Sequence, residues 1–200
     1  MLELEKLPYK IGAILLKPDA VELGVDDFIT ELVSKRMLIE ASASLEVAAP
    51  LCNLTKEQTR RIYPTLDPNY FEGHAANFLS GISIALFYVG NSGEVNLWQL
   101  LKKIRGKITL GDGFEHSIRA SIPLPGKREK YNELSKKLKN KEPLCLEDYM
   151  SLSENLAHVP ENIFEFDGLL SLIPKKYFNS VMVEGMSMSK IQALIENQQR

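Results

Sequence analysis

The residues best suited to chemistry in this chain are a short cationic tetrad, an arginine and a histidine, well separated in sequence. Lys17-Pro18-Asp19-Ala20 ends the apolar run Ile11 to Leu16 and is followed at once by Val21-Glu22-Leu23-Gly24. That context sets an ammonium group at a strand end, where it can bind phosphate; a lone lysine there serves equally well as a solvated charge. Further on stand Ile118-Arg119 and the string Glu154-Asn155-Leu156-Ala157-His158. Phosphoryl transfer asks a protein for cations around the phosphates, a positioned nucleophile and little else, because catalysis there is mostly positioning and charge stabilisation. This chain can meet that inventory. His74 and His116 read as structural, although His116 lies close enough to Arg119 to touch a phosphate.

Composition narrows the partners. Two hundred residues, 44% hydrophobic and 25% charged, describe an ordinary globular chain with one good core and room for an appendage. A net charge of -2 gives no global drive toward nucleic acid or an anionic membrane, so neither is expected, and a small anion met by a local cluster fits better. Cys52 and Cys145 are far apart with no His/Cys set nearby, which is neither a metal-ligand pattern nor a disulfide framework. They read as buried or idle thiols in a reducing cytosol. The N-terminus has no basic start or apolar h-region, and no apolar run approaches the ~18 residues of a membrane span, so the expected location is cytoplasmic.

The elements that must position these residues follow from periodicity. Val25, Phe28, Ile29, Leu32 and Val33 have helical spacing, with Asp26 and Asp27 in the first turn. Ile39, Ala41, Ala43, Leu45 and Val47 alternate with polar residues, which predicts a strand with one dry face. Thr55 and Gln58 form a capping box for a helix running toward Tyr63, which Pro64 ends. Tyr70, Phe71 and Phe78 belong to a further helix closed by Ser80-Gly81. Ile82 to Val89 is apolar enough for a central strand, and Asn91-Ser92-Gly93 turns it into a helix with Val95, Trp98, Leu101 and Lys102. The order suggests α+β with helices on one face of a sheet. Lys127 to Lys141 reads as a solvated helix, or as a basic lip over a site. Met186 to Arg200 patterns as a short terminal helix through Met188, Ile191, Leu194 and Ile195.

Taken in order, Lys17-Pro18-Asp19, Gly24, Ser80-Gly81, Gly106, Ile118-Arg119 and Asn155-x-x-His158 resemble the nucleoside diphosphate kinases, which move a γ-phosphate between nucleotides through a phosphohistidine. The resemblance covers about Lys6 to Gly126 and resumes at Glu154. It implies one domain over residues 1–200 with a surface insertion at 127–153 and a C-terminal extension at 179–200. It also implies a ferredoxin-like four-stranded antiparallel sheet covered by helices, a homo-oligomer, nucleoside tri- and diphosphates as partners, and Mg2+ carried on their phosphates rather than in a protein cage.

Carried over residue by residue, the resemblance makes His158 the nucleophile. Lys17 and Arg119 bind phosphates, Arg119 from a strand, and Asn155 contacts the sugar or a phosphate-linked hydroxyl. Tyr70 stacks on the base, in Asn69-Tyr70-Phe71 where the family has P-F-F, and Tyr63 is the nearest match to another active-site tyrosine. The family's phosphate-binding arginine falls on Lys102. Its threonine counts to Ile108, and Thr109 fills the place after a shift of one residue. The family's H-x-S-D stretch reads His158-Val159-Pro160-Glu161 here. The acid that orients the histidine counts to Leu169, with Glu165 or Asp167 as substitutes. Counting forward from Arg119 without an insertion lands on Asn132, which cannot carry a phosphoryl group. An insertion is cheap, since doubling a loop costs only about 0.6 kcal/mol of closure entropy. The implied activity is nucleoside diphosphate kinase, with a weak or inactive nucleotide-binding module as the alternative.

Overall fold

The computed structural model describes residues 4–91, 93–107, 116–122, 124, 126–178 and 180–198. In chain order a 3-10 turn (Leu4–Lys6) leads into α1 (Leu7–Lys10), β1 (Ile11–Leu16), α2 (Pro18–Glu22), α3 (Asp26–Ala41), β2 (Ala43–Cys52), α4 (Lys56–Ile62) and α5 (Pro68–Ser80). Then come β3 (Ile82–Gly90), α6 (Leu97–Arg105), α7 (Ile118–Ser121), α8 (Lys127–Lys139), α9 (Leu146–Ser153) and β4 (Ala157–His158). The chain continues through α10 (Ile163–Ser171), a 3-10 turn (Lys175–Tyr177), the hairpin β5 (Met182–Val183) and β6 (Met186–Ser187), and α11 (Met188–Gln198).

Four strands form one antiparallel sheet in the order β2-β3-β1-β4. Helices cover both of its faces, not one. Ile11, Ala13, Leu15, Phe87 and Val89 point to a core shared with α4, α5, α10 and α11. Ile14, Leu16, Leu86 and Tyr88 point to a second core under α3 and α6. The physical reason is visible in Ile82 to Val89, which has no polar period: a strand without alternation must be dry on both sides.

The alternating run from Ile39 was expected to be one strand with a single dry face, and the structure corrects it twice. α3 continues to Ala41, leaving Ile39 exposed, and Ser42 ends it in the left-handed region at φ 49°. A bulge between Leu45 and Val47 then reverses the side-chain alternation. Ala43 and Leu45 face one core while Val47, Ala49 and Leu51 face the other.

The capping box holds as expected: the Gln58 N–H donates to Thr55 Oγ1 at 3.2 Å, and the Thr55 N–H donates back to Gln58 Oε1 at 2.9 Å. Trp98 donates its indole N–H to the Ile11 carbonyl at 2.8 Å and stacks on Phe166. α6 and α10 are thereby fixed to β1, the strand that ends in Lys17. The terminal helix forms as expected, and Met188, Ile191 and Ile195 are buried in the core. Among the described residues no helix is long and apolar enough to cross a membrane.

Candidate active site

The tetrad after β1 acts first as a clamp on the backbone beside the histidine. β4 pairs antiparallel with β1, setting His158 opposite Leu15. The Lys17 N–H donates to the Leu156 carbonyl at 2.9 Å, and the Leu156 N–H donates to Asp19 Oδ2 at 2.9 Å. Leu156 is fully buried at φ 68°, a conformation that a leucine holds only when its surroundings impose it. Pro18 starts α2, where its missing N–H costs nothing. Gly81 is required because a Cβ there would come within 2.4 Å of Pro18 Cβ.

His158 lies at the centre of a buried group. Its Nε2 is 3.2 Å from Glu165 Oε2, off the line of a hydrogen bond, so that Nε2 has no hydrogen-bond partner. Asn162 caps α10 by accepting from the Phe164 and Glu165 N–H groups, and the Glu161 N–H donates to Glu165 Oε2 at 3.0 Å, so Glu165 is held at its backbone and at its carboxylate. Burial pushes Glu165 up, but His158 and the Glu161 amide outweigh it and hold the carboxyl below its usual range. Burial lowers His158 to about 4, only partly opposed by Glu165, so the imidazole is neutral at pH 7. Of the two acids that could substitute at Leu169, Glu165 is the one beside the histidine. Leu169 itself is buried in the core.

The Tyr63 ring lies between two imidazoles, 4.6 Å from His158 and 4.7 Å from His74 between ring centroids. Its hydroxyl is buried without a hydrogen-bond partner, and burial raises its pKa well above the usual value. Lys17 Nζ donates to the Ser153 carbonyl at 2.9 Å and lies 3.4 Å from His74 Nε2. His74 Nδ1 is 2.9 Å from the Tyr70 carbonyl, which fixes Nδ1 as its donor and Nε2 as an acceptor for the lysine. Burial lowers Lys17 to about 7 despite the nearby Asp19.

Arg119 lies on the helical turn α7, not on the expected strand; Ser117 caps that turn. The guanidinium donates from Nε to the Asn155 carbonyl at 3.0 Å and from Nη1 to the Gly106 carbonyl at 2.9 Å. Nη2 donates to Asn155 Oδ1 at 2.7 Å and to the Ala157 carbonyl at 3.0 Å. Arg119 and Asn155 are thus in direct contact, and burial lowers the arginine to about 9. Lys102 comes near enough to help hold Glu165 down. Thr109 lies outside the described residues. Asn132, the residue reached by counting without an insertion, is exposed on α8.

Two members of the site were not anticipated. His74 was read as structural, yet it faces Lys17 and Tyr63; its signal was the four-residue spacing from Tyr70 on one helix face. Arg105, the last residue of α6, has a buried Nε without a hydrogen-bond partner, and its charge acts on Tyr63, His158, Lys17 and Arg119. Its signal was the turn of helix separating it from Lys102.

The segment 127–153 carries α8 and α9. Its ends approach each other, with Lys127 Nζ 2.8 Å from Glu154 Oε2. α9 rests on α5, where Asn77 Nδ2 donates to the Met150 carbonyl at 2.9 Å and to Ser153 Oγ. Tyr149 meets the half-buried Tyr70 edge-on at 5.7 Å.

The fold recurs in solved structures. A nucleoside-diphosphate kinase from Borrelia burgdorferi, a transition state mimic with bound vanadate and ADP, superposes with a TM-score of 0.58 at 11% identity, covering 88% of this chain and 93% of that one. The apo nucleoside diphosphate kinase from Encephalitozoon cuniculi superposes with a TM-score of 0.55 at 15% identity, covering 85% and 96%. The chain has the nucleoside diphosphate kinase fold. No family model matches the chain, and no curated protein matches it by sequence. Within the nucleoside diphosphate kinase fold, β1 and β4 are the strands that carry Lys17 and His158 to one place.

Proposed function

We propose that the chain is a nucleoside diphosphate kinase that passes a γ-phosphate from a nucleoside triphosphate to a diphosphate through His158. The observation that carries this reading is the buried imidazole of His158, 3.2 Å from the Glu165 carboxylate and under the charges of Lys17 and Arg105. A carboxylate facing Nε2 favours the Nε2–H tautomer and leaves the lone pair on Nδ1. In the first half-reaction Nδ1 attacks the γ-phosphorus, an N–P bond forms, and the P–O bond to the β-phosphate breaks with the nucleoside diphosphate leaving. The second half-reaction is the reverse with another diphosphate. Lys17 and Arg105 stabilise charge on the transferring group, and Tyr70 offers its ring to the base.

Magnesium enters as part of the nucleotide substrate, on its phosphates. Among the described residues no three His, Cys, Asp or Glu side chains come together to hold a metal. Thr109, Lys102 and Asn155 complete the proposed nucleotide contacts, and the chain is proposed to work as a cytoplasmic homo-oligomer, with residues 127–153 inserted and 179–200 appended. The alternative, a nucleotide-holding module with weak or no turnover, draws support from Arg119, whose donors are spent on the chain's own carbonyls. A pulse of γ-labelled ATP followed by a chase with a different nucleoside diphosphate separates the two. Label that passes through the protein to the chase nucleotide supports the kinase, and tight ADP binding without transfer supports the module.

A further inference from the structure

α9 engages two of the groups that the proposed reading assigns to nucleotide, Lys17 and Tyr70. Its last residue, Ser153, gives its carbonyl to Lys17 Nζ at 2.9 Å, the position a phosphate oxygen would take. One turn earlier, Tyr149 packs edge-on against Tyr70 at 5.7 Å, the ring assigned to the base. The two residues are four apart, so they sit on one side of the helix. We propose that α9 is a built-in competitive lid, a stand-in for nucleotide that must leave α5 before nucleotide binds. The proposal rests on the kinase or nucleotide-module reading of the site.

The docking of α9 suits a device that opens. At eight residues it is too short to hold as an isolated helix in water, where about 12–15 residues are needed for even marginal stability. It therefore keeps its shape through its dock, and much of that dock is polar or backbone. A Cβ on Gly73 would fall 2.5 Å from the Tyr149 carbonyl carbon and oxygen, so the helices approach at backbone distance only because residue 73 is glycine. Asn77 adds bonds to the Met150 carbonyl and Ser153 Oγ, and Leu152 is the fully buried apolar anchor. Elements held by few buried apolar contacts open at low cost. A phosphate oxygen also brings a full negative charge to the ammonium where the Ser153 carbonyl brings only a dipole, so the phosphate is the stronger partner. Nucleotide can thus displace Ser153 from Lys17, at an affinity reduced by the fraction of molecules already open.

Gly73→Ala tests this without touching the residues of the site. The new methyl forces α9 off α5, and alanine suits the α5 helix better than glycine. Magnesium-ADP titrated into the full chain is expected to bind the variant at least about tenfold more tightly than the wild type, with a gain in the same direction for Asn77→Ala. In the wild type, ADP is expected to speed hydrogen exchange at the amides of Tyr149 to Ser153 while α5 stays protected. ADP that binds wild type and both variants equally, or that slows exchange in α9, overturns the lid alone. Absence of ADP binding by wild type and variants overturns the nucleotide reading beneath it. Asn77→Ala decides the matter if Gly73→Ala does not fold.

Discussion

At the scale of single residues, the proposed chemistry depends on a histidine kept neutral by burial beside a carboxylate kept ionised. His158→Ala is expected to abolish the phosphoenzyme while ADP affinity stays within a few-fold, since the cations remain. Affinity measured by calorimetry together with label incorporation checks both halves. Asp19 has a different task. Its carboxylate is the acceptor for the Leu156 N–H two residues before the histidine. Asp19→Ala should cost about 1–3 kcal/mol of stability, the penalty of a buried amide left unpaired, and Asp19→Asn, which keeps an acceptor, should cost less. Denaturant midpoints of the two variants give the comparison. Burial lowers Lys17 to about 7, opposed by Asp19 and reinforced by the cations Arg119 and Arg105. The sign follows: between about pH 7 and 10 the unfolded lysine holds a proton that the folded one has lost, so this group makes stability rise with pH across that window. A bound phosphate raises the lysine's pKa again, so ADP binding at pH 8 should take up a proton. Calorimetry in buffers of different ionisation enthalpy reads that uptake, and Lys17→Met should remove it.

At the scale of elements, the sequence was legible where local chemistry decides the structure. The Thr55/Gln58 box and the strand that ends before Lys17 need only a few adjacent residues, and each lies where its local pattern indicates. The alternating run from Ile39 misled because a helix end and a bulge both preserve residue counting while changing which side faces inward. Arg105, His74 and Glu165 were hard to choose because the distance that selects them runs between α6, α5, α10 and β4, and no local period encodes it. Gly168 shows how tightly one such distance is set. A Cβ there would fall 1.7 Å from the Arg61 carbonyl oxygen, so Gly168→Ala must push α10 and its Glu165 away from α4. It is expected to lower stability by about 1–3 kcal/mol through overpacking, read as a lower melting temperature. The segment around α8 and α9 behaves differently. Replacing Glu129 to Leu152 with a short Gly/Ser linker bridges ends already joined by the Lys127–Glu154 pair. The shortened protein should stay folded, keep labelling at His158 and bind ADP more tightly; loss of folding would make α8 and α9 part of the core.

At the scale of the whole molecule, one antiparallel sheet carries both halves of the site on neighbouring strands, while α5, α6, α7 and α10 supply what surrounds them. The superpositions at 11% and 15% identity show that this framework outlasts nearly all of its side chains. A fold hosts many functions, so the kinase reading stands on the constellation around His158 rather than on the superposition. The most direct measurement is to incubate the full chain with γ-labelled ATP and magnesium, isolate the protein, test the label in acid and in base, and locate it by peptide mapping. The expected result is a label lost in acid, stable in base, mapping to His158 and missing from His158→Ala. A wild-type protein that binds ADP yet takes no label, or a His158→Ala variant labelled as fully as the wild type, would contradict it.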